Sequence, residues 1–189
     1  RTDSSNVQKV LWCCGELDLE FNRVDWGGKF GGNKDKAYRD KNPNGLVPTI
    51  EDGNFVLWES NSIMRYLVEK YGHGRLLPAT PEGRANANRW MDWQLSTFNP
   101  IIVPLFFATI RTPADKRDPK AIEAALDKSS QAWQIVENHL EGNKYLAGDE
   151  FSIGDIPLGV WAHRWFNLPI ERPKQKNLTA WYERLTQRK

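Results

Sequence analysis

Two stretches place polar side chains where a helix should begin. The first is Ser4-Ser5-Asn6, just ahead of Val7, Val10, Leu11 and Cys14, which are apolar at helical spacing. Serine and asparagine oxygens satisfy the free N–H groups of a first turn, so capping accounts for one of them, most simply Ser5 or Asn6. One cap would suffice, so the other polar side chains need a further reason or are chance. The second stretch is Glu59-Ser60. The first four N–H groups of a helix lack partners, and its dipole favours an anion there. Ordinary capping and a seat for a bound carboxylate are the two readings of that pair. Val47-Pro48, just before, is either the plain start of a strand or a special edge, because proline has no N–H to give a ladder.

Other reactive residue types point away from chemistry. Cys13 and Cys14 are adjacent and are the chain's 2 cysteines. Neighbours in one helical turn do not form an ordinary disulfide, and Cys-x-x-Cys spacing is missing. They read as buried, inert thiols and favour a reducing, cytoplasmic setting. His73, His139 and His163 have no metal-ligand spacing, so no metal is expected. The glycine-rich segment 26–33 lacks the Lys-Ser/Thr ending of a phosphate loop and reads as a flexible connection.

The elements that must position these groups follow from periodicity and turn signals. A helix is predicted over residues 5–17, then a strand over 19–25 carrying Phe21 and Val24. A short helix at 34–40 ends at Asn42-Pro43-Asn44-Gly45, a strong turn signal. Two apolar runs, 46–50 and 55–58, flank an Asp52-Gly53 hairpin. A helix over 59–71 carries Ile63, Leu67 and Tyr71 on one face and stops at Gly72. Beyond a proline-containing linker only helices are predicted. One spans 81–110, bent near Pro100 and Pro104. Another spans 119–140, a third starts at Ser152-Ile153-Gly154-Asp155, and a last one carries Leu178, Trp181, Tyr182 and Leu185. In Ser152-x-x-Asp155 each side chain is placed to satisfy the other's backbone, which is a folding role.

The totals agree with a folded chain. Of 189 residues 40% are hydrophobic, with 9 Trp and 8 Phe, which excludes disorder. A net charge of +2 without a basic run argues against nucleic-acid binding. The apolar run at 101–110, broken by Pro104, is too short to span a bilayer, so no membrane partner is expected.

In this order and spacing the signals resemble a cytosolic glutathione transferase. The resemblance covers nearly the whole chain. It is most specific in "NPNGLVPTIEDGNFVLWESNSIMRYLVEKYG" (residues 42–72) and in the Ser152-x-x-Asp155 helix start. The opening "SSNVQKVLWCCGEL" is similar to bacterial members near the theta, beta and Nu classes. The resemblance implies an α/β thioredoxin-like domain over 1–73, a linker over 74–81 and an all-α domain over 82–189. It also implies a strand ahead of the first helix, which is missing here, and further apolar residues before Arg1 are expected.

The resemblance assigns roles to the polar groups. Val47-Pro48 is implied to be cis and to expose the backbone of Val47, on which the cysteinyl unit of glutathione pairs like an added strand. The start of the Glu59-Ser60 helix takes the γ-glutamyl carboxylate, and Glu59 faces the ligand's ammonium group. Asn33 lies toward the glycine end, with Lys34 and Lys41 as nearby cations. A free thiol titrates near about 8.5 and its thiolate is the nucleophile. A hydroxyl donating to sulfur stabilises that anion, so Ser4 is implied to be catalytic, with Asn6 sharing the duty and Ser5 as another donor. The electrophile pocket, between the domains, draws on Trp93, Phe106, Phe107, Arg111 and Trp165. The implied reaction joins glutathione, as cosubstrate, to a small hydrophobic electrophile. Glutathione-dependent disulfide or peroxide reduction and non-catalytic ligand binding are the alternatives. A homodimer is implied.

Overall fold

Residues 1–188 are described by a computed structural model and divide into two units, residues 1–79 and 80–188. In the first unit the amphipathic opening forms α1 (Ser5–Glu16), which buries Val7, Val10, Cys13 and Cys14. A short α2 (Lys36–Arg39) follows. The two apolar runs pair as an antiparallel hairpin, β1 (Thr49–Asp52) and β2 (Phe55–Trp58). Asp52 pairs with Phe55, so the turn is Gly53-Asn54, one residue later than an Asp-Gly turn. Gly53 carries a φ of 60° at the first turn position, a conformation that costs glycine little. Next comes α3 (Ser60–Tyr71), whose Ile63, Met64, Leu67 and Val68 are buried and which packs against α1.

At the turn end of the hairpin, the Asp52 carboxylate accepts hydrogen bonds from the hydroxyls of Tyr66 and Tyr71 and from the Lys70 ammonium, all on α3. These donors hold Asp52 well below the usual carboxylate range, with Lys70 the largest cause. α3 ends at Gly72 for reasons of space. Its φ is an ordinary −73°, but a Cβ there would lie 2.3 Å from the Val68 carbonyl oxygen.

Two expectations for this unit are corrected. Residues 19–25 form no strand: the sheet has two strands, β1 and β2, and the segment has no ladder partner among the described residues. A strand exists through its ladder bonds, and here Phe21 and Val24 stand 52% and 68% exposed. The glycine-rich segment is packed and hydrogen-bonded, with Gly28–Phe30 a single 3₁₀ turn. Gly27 donates to the Gly31 carbonyl at 2.7 Å, and a Cβ on Gly32 would strike the Trp26 ring.

The second unit is helical. α4 (Pro81–Trp93) starts at Thr80, whose hydroxyl accepts from Gly83 N–H at 3.1 Å, with Pro81 in the first turn. The helix continues without a break to Arg111 through a π-helical turn (Gln94–Phe98), α5 (Asn99–Phe106) and a second π-helical turn (Phe107–Arg111). Prolines 100 and 104 therefore sit between two wide turns, the usual way a helix absorbs missing donors without ending. Taken whole, Pro81–Arg111 is long and apolar enough by composition to cross a membrane, unlike the 101–110 run alone. It buries Trp90, Met91, Phe98, Ile102 and Leu105, while 28% of its most apolar window is buried within the protein.

α6 (Pro119–His139), α7 (Asp155–Asn167) and α8 (Lys176–Thr186) complete the unit around Trp133, Trp165 and Trp181. Asp155 is fully buried at the start of α7. One oxygen accepts from Leu146 N–H (2.9 Å) and the Trp181 indole (3.0 Å), the other from Ser152 N–H (3.0 Å) and hydroxyl (3.3 Å). The Ser152 hydroxyl accepts in turn from Gly154 N–H. The expected reciprocal box is present, shifted by one donor.

Candidate functional site

The hairpin register assembles the site. Thr49 pairs with Trp58, so Pro48 and Glu59, the next residue on each side, emerge together at the open end, opposite the turn. Ser60 then starts α3 at the same place. The Val47-Pro48 peptide is cis, as the resemblance implied. Side chains of α2 and the following turn hold the approach to it. The Tyr38 hydroxyl donates to the Leu46 carbonyl at 2.7 Å and lies 2.9 Å from Thr49 Oγ1. Asn42 Nδ2 reaches the same two oxygens at 2.8 and 3.2 Å. Asn33 Nδ2 donates to the Gly45 carbonyl at 2.6 Å, so its amide staples the loop one step upstream. Between these fixed points the N–H and carbonyl of Val47 enter no backbone bond among the described residues.

Glu59 is exposed, with φ 73° and ψ 110°, a left-handed backbone that glutamate rarely adopts. Its carbonyl accepts from Ile63 N–H at 2.8 Å, but its side chain makes no capping bond to α3. Ser60 is 3% exposed. Beneath it lies a group that sequence reasoning missed. Lys9 of α1 is wholly buried, and its Nζ donates to Ser60 Oγ (3.4 Å) and Asn61 Oδ1 (3.3 Å). Burial pushes the ammonium down to about 7, against the pull of Glu59. Its signal was faint: a lysine at the rim of an apolar helical arc reads as solvated, yet it sits one turn before buried Cys13.

Ser4 is the N-cap residue of α1, but its side chain makes no capping bond. Capping through Ser5 or Asn6 is thus corrected: both lie inside the helix, where their own N–H groups are part of the first turn. Asn6 Oδ1 is buried without a hydrogen-bond partner. Ser4 precedes Lys9 by five residues, about 7–8 Å along the axis. Burial raises Cys13 to about 12 and Cys14 to about 11, so neither is a thiolate nucleophile at neutral pH.

The electrophile candidates all lie in the second unit. Trp93, half-buried, packs on Trp90 and Phe98 with ring centroids 5.5 and 5.4 Å away. Phe107 is 56% exposed, and the Arg111 guanidinium lies 6.0 Å from the Phe106 ring. Trp165, 1% exposed and 6.1 Å from Trp133, is core.

Comparison with known proteins covers both units. Residues 1–79 match the glutathione S-transferase N-terminal domain model, and residues 98–189 match the C-terminal domain model. Glutathione S-transferase GstB of Escherichia coli strain K12 is 37% identical over 190 residues, spanning 100% of this chain and 91% of that protein. Glutathione S-transferase F11 of Arabidopsis thaliana is 33% identical over 157 residues, 81% of this chain and 73% of that one. The theta class glutathione S-transferase of Xanthomonas axonopodis pv. citri, solved with glutathione bound, aligns with a TM-score of 0.96 at 47% identity, covering 100% of this chain and 90% of that one. The hairpin, the helix starts and these matches agree: the chain belongs to the glutathione S-transferase family and is an enzyme of that kind.

Proposed function

We propose that this enzyme binds glutathione along the open end of the hairpin and keeps its sulfur as thiolate for attack on a hydrophobic electrophile. The observation that carries the reading is the convergence of Val47, Glu59 and Ser60 fixed by the Thr49–Trp58 pair. The cysteinyl unit pairs with the free backbone of Val47. The γ-glutamyl carboxylate takes the N–H groups and hydroxyl at the start of α3, where the dipole favours it. Glu59 faces the ammonium group. Asn33 acts by holding the loop, at the glycine end. The Xanthomonas relative, solved with glutathione bound, supports glutathione as the ligand.

Ser4 donates to the sulfur. Its side chain makes no capping bond, and capping would use only its oxygen, so the O–H proton is there to donate. Asn6 is the second polar group. The enzyme supplies no metal, and the nucleophile is the cosubstrate itself. Trp93, Phe107 and Arg111 serve the electrophile. The working form is a cytoplasmic homodimer.

A second reading is glutathione-dependent disulfide or peroxide reduction. Ser4 and Asn6 permit it, because neither side chain forms a mixed disulfide with glutathione. Turnover of an aryl halide against that of a small disulfide separates the two. Ser4→Ala is the test of the thiolate assignment. The bound thiol's titration, followed by thiolate absorbance, is expected to move up by about one unit, equivalent to about 1.4 kcal/mol. An unchanged titration rejects Ser4. Stability should fall by less than about 0.5 kcal/mol, because no cap bond is lost.

A further inference from the structure

Lys9 is in the wrong place for a structural cation. The start of α3 is the positive end of a helix dipole, and a buried ammonium there pays both desolvation and repulsion. A solvated lysine or an apolar residue would suit folding better. Ser60 Oγ and Asn61 Oδ1, the side-chain oxygens of the first two residues of α3, both accept from Lys9. In its charged form the ammonium has donors and no acceptor, so Ser60 then accepts from Lys9 and has its own O–H proton to give elsewhere.

We propose that Lys9 is a positioning residue of the γ-glutamyl seat, fixing the donor direction of Ser60 and placing a buried ammonium close to the docking carboxylate. This rests on the glutathione reading above. Lys9 does not touch the ligand; it acts through Ser60. Glu59 is the charged group whose field acts on it, and the Cys13 thiol one turn further along α1 is held neutral by burial. An arriving carboxylate stabilises the charged form, so binding should draw a proton onto Lys9 where it is otherwise partly neutral, just above pH 7.

The test is calorimetric titration with S-methylglutathione, whose capped sulfur removes the thiol's own proton from the count. Titrations at pH 7.5 in buffers of different ionisation enthalpy give the protons taken up. Wild type is expected to take up a sizeable fraction of a proton. Lys9→Gln should bind about tenfold more weakly, take up none, and raise KM for glutathione with kcat within threefold. Lys9→Arg, which cannot titrate, should also take up none. Wild-type binding without uptake overturns the proposal, as does Lys9→Gln binding within twofold of wild type. Should neither variant fold, wild-type uptake across pH 6.5–8.5 decides. A maximum between 7 and 8 supports Lys9, and a rise only toward higher pH belongs to the ligand's amine and overturns it. No binding heat at all from wild type would instead sink the glutathione reading itself, and this proposal with it.

Discussion

Asp155 and Lys9 are both wholly buried ionisable groups, one in each unit: Asp155 opens α7, and Lys9, within α1, reaches the start of α3. Asp155 has the sign that a helix dipole favours and is saturated by four donors from Leu146, Ser152 and Trp181. Lys9 has the sign the dipole opposes, and donates to Ser60 Oγ and Asn61 Oδ1 at 3.4 and 3.3 Å. The contrast is between a buried charge that joins three segments of one unit, which is a fastener, and one held against the local field beside a strained glutamate, the place where we propose that a ligand docks.

The largest effect should come from the fastener. Asp155→Ala strands several buried donors and is expected to cost about 3–5 kcal/mol in denaturant unfolding. A loss below about 1 kcal/mol would erase the distinction. Tyr38→Phe removes a hydroxyl shared by Leu46 and Thr49, expected to cost about 1–2 kcal/mol and to raise KM for glutathione through a looser Val47 approach. A change in stability with KM untouched would move that clamp out of the site.

Glu59→Gly should behave oppositely to both. Glycine accepts a φ of 73° without strain, so the variant gains about 0.5–1 kcal/mol while glutathione affinity falls about tenfold. Retained affinity would reject Glu59 as a ligand group.

The smallest signal is in pH. Lys9, lowered to about 7 from 10.5 by burial, binds fewer protons folded than unfolded between those values. Wild type should therefore gain stability on Lys9→Met as pH rises from about 7 to 10.5. Asp155, raised from 3.8 to about 6 by burial, runs the other way: its contribution is fullest below 3.8 and declines as pH rises to about 6. Difference profiles of unfolding free energy would check both signs.

Much of this was legible in the chain. The hairpin, α3 and α6 followed from periodicity and turn residues, and the Glu59-Ser60 and Val47-Pro48 pair stood out once the resemblance supplied a ligand. Residues 19–25 misled because Phe21 and Val24 satisfy a strand pattern, whereas a strand needs a neighbour that no pattern provides. The cap at α1 misled because residue type says which side chains suit an N-cap, not which one the backbone delivers there. Lys9 was invisible since burial of a lysine is a tertiary fact, set here by how α3 lies on α1. Tyr38 and Asn42 looked like ordinary turn-flanking residues, and their shared grip on Leu46 and Thr49 depends on the loop between them closing back.

The Asp52 knot has a consequence for motion. Tyr66, Lys70 and Tyr71 bind the turn end of the hairpin to the last turns of α3, while Pro48, Glu59 and Ser60 sit at the opposite end of both elements. Strands this short have little independent stability. Tied at the far end, hairpin and helix should open as one cooperative unit, so their amides would share a single exchange rate, and cutting the knot with Asp52→Ala would let the hairpin exchange ahead of the helix.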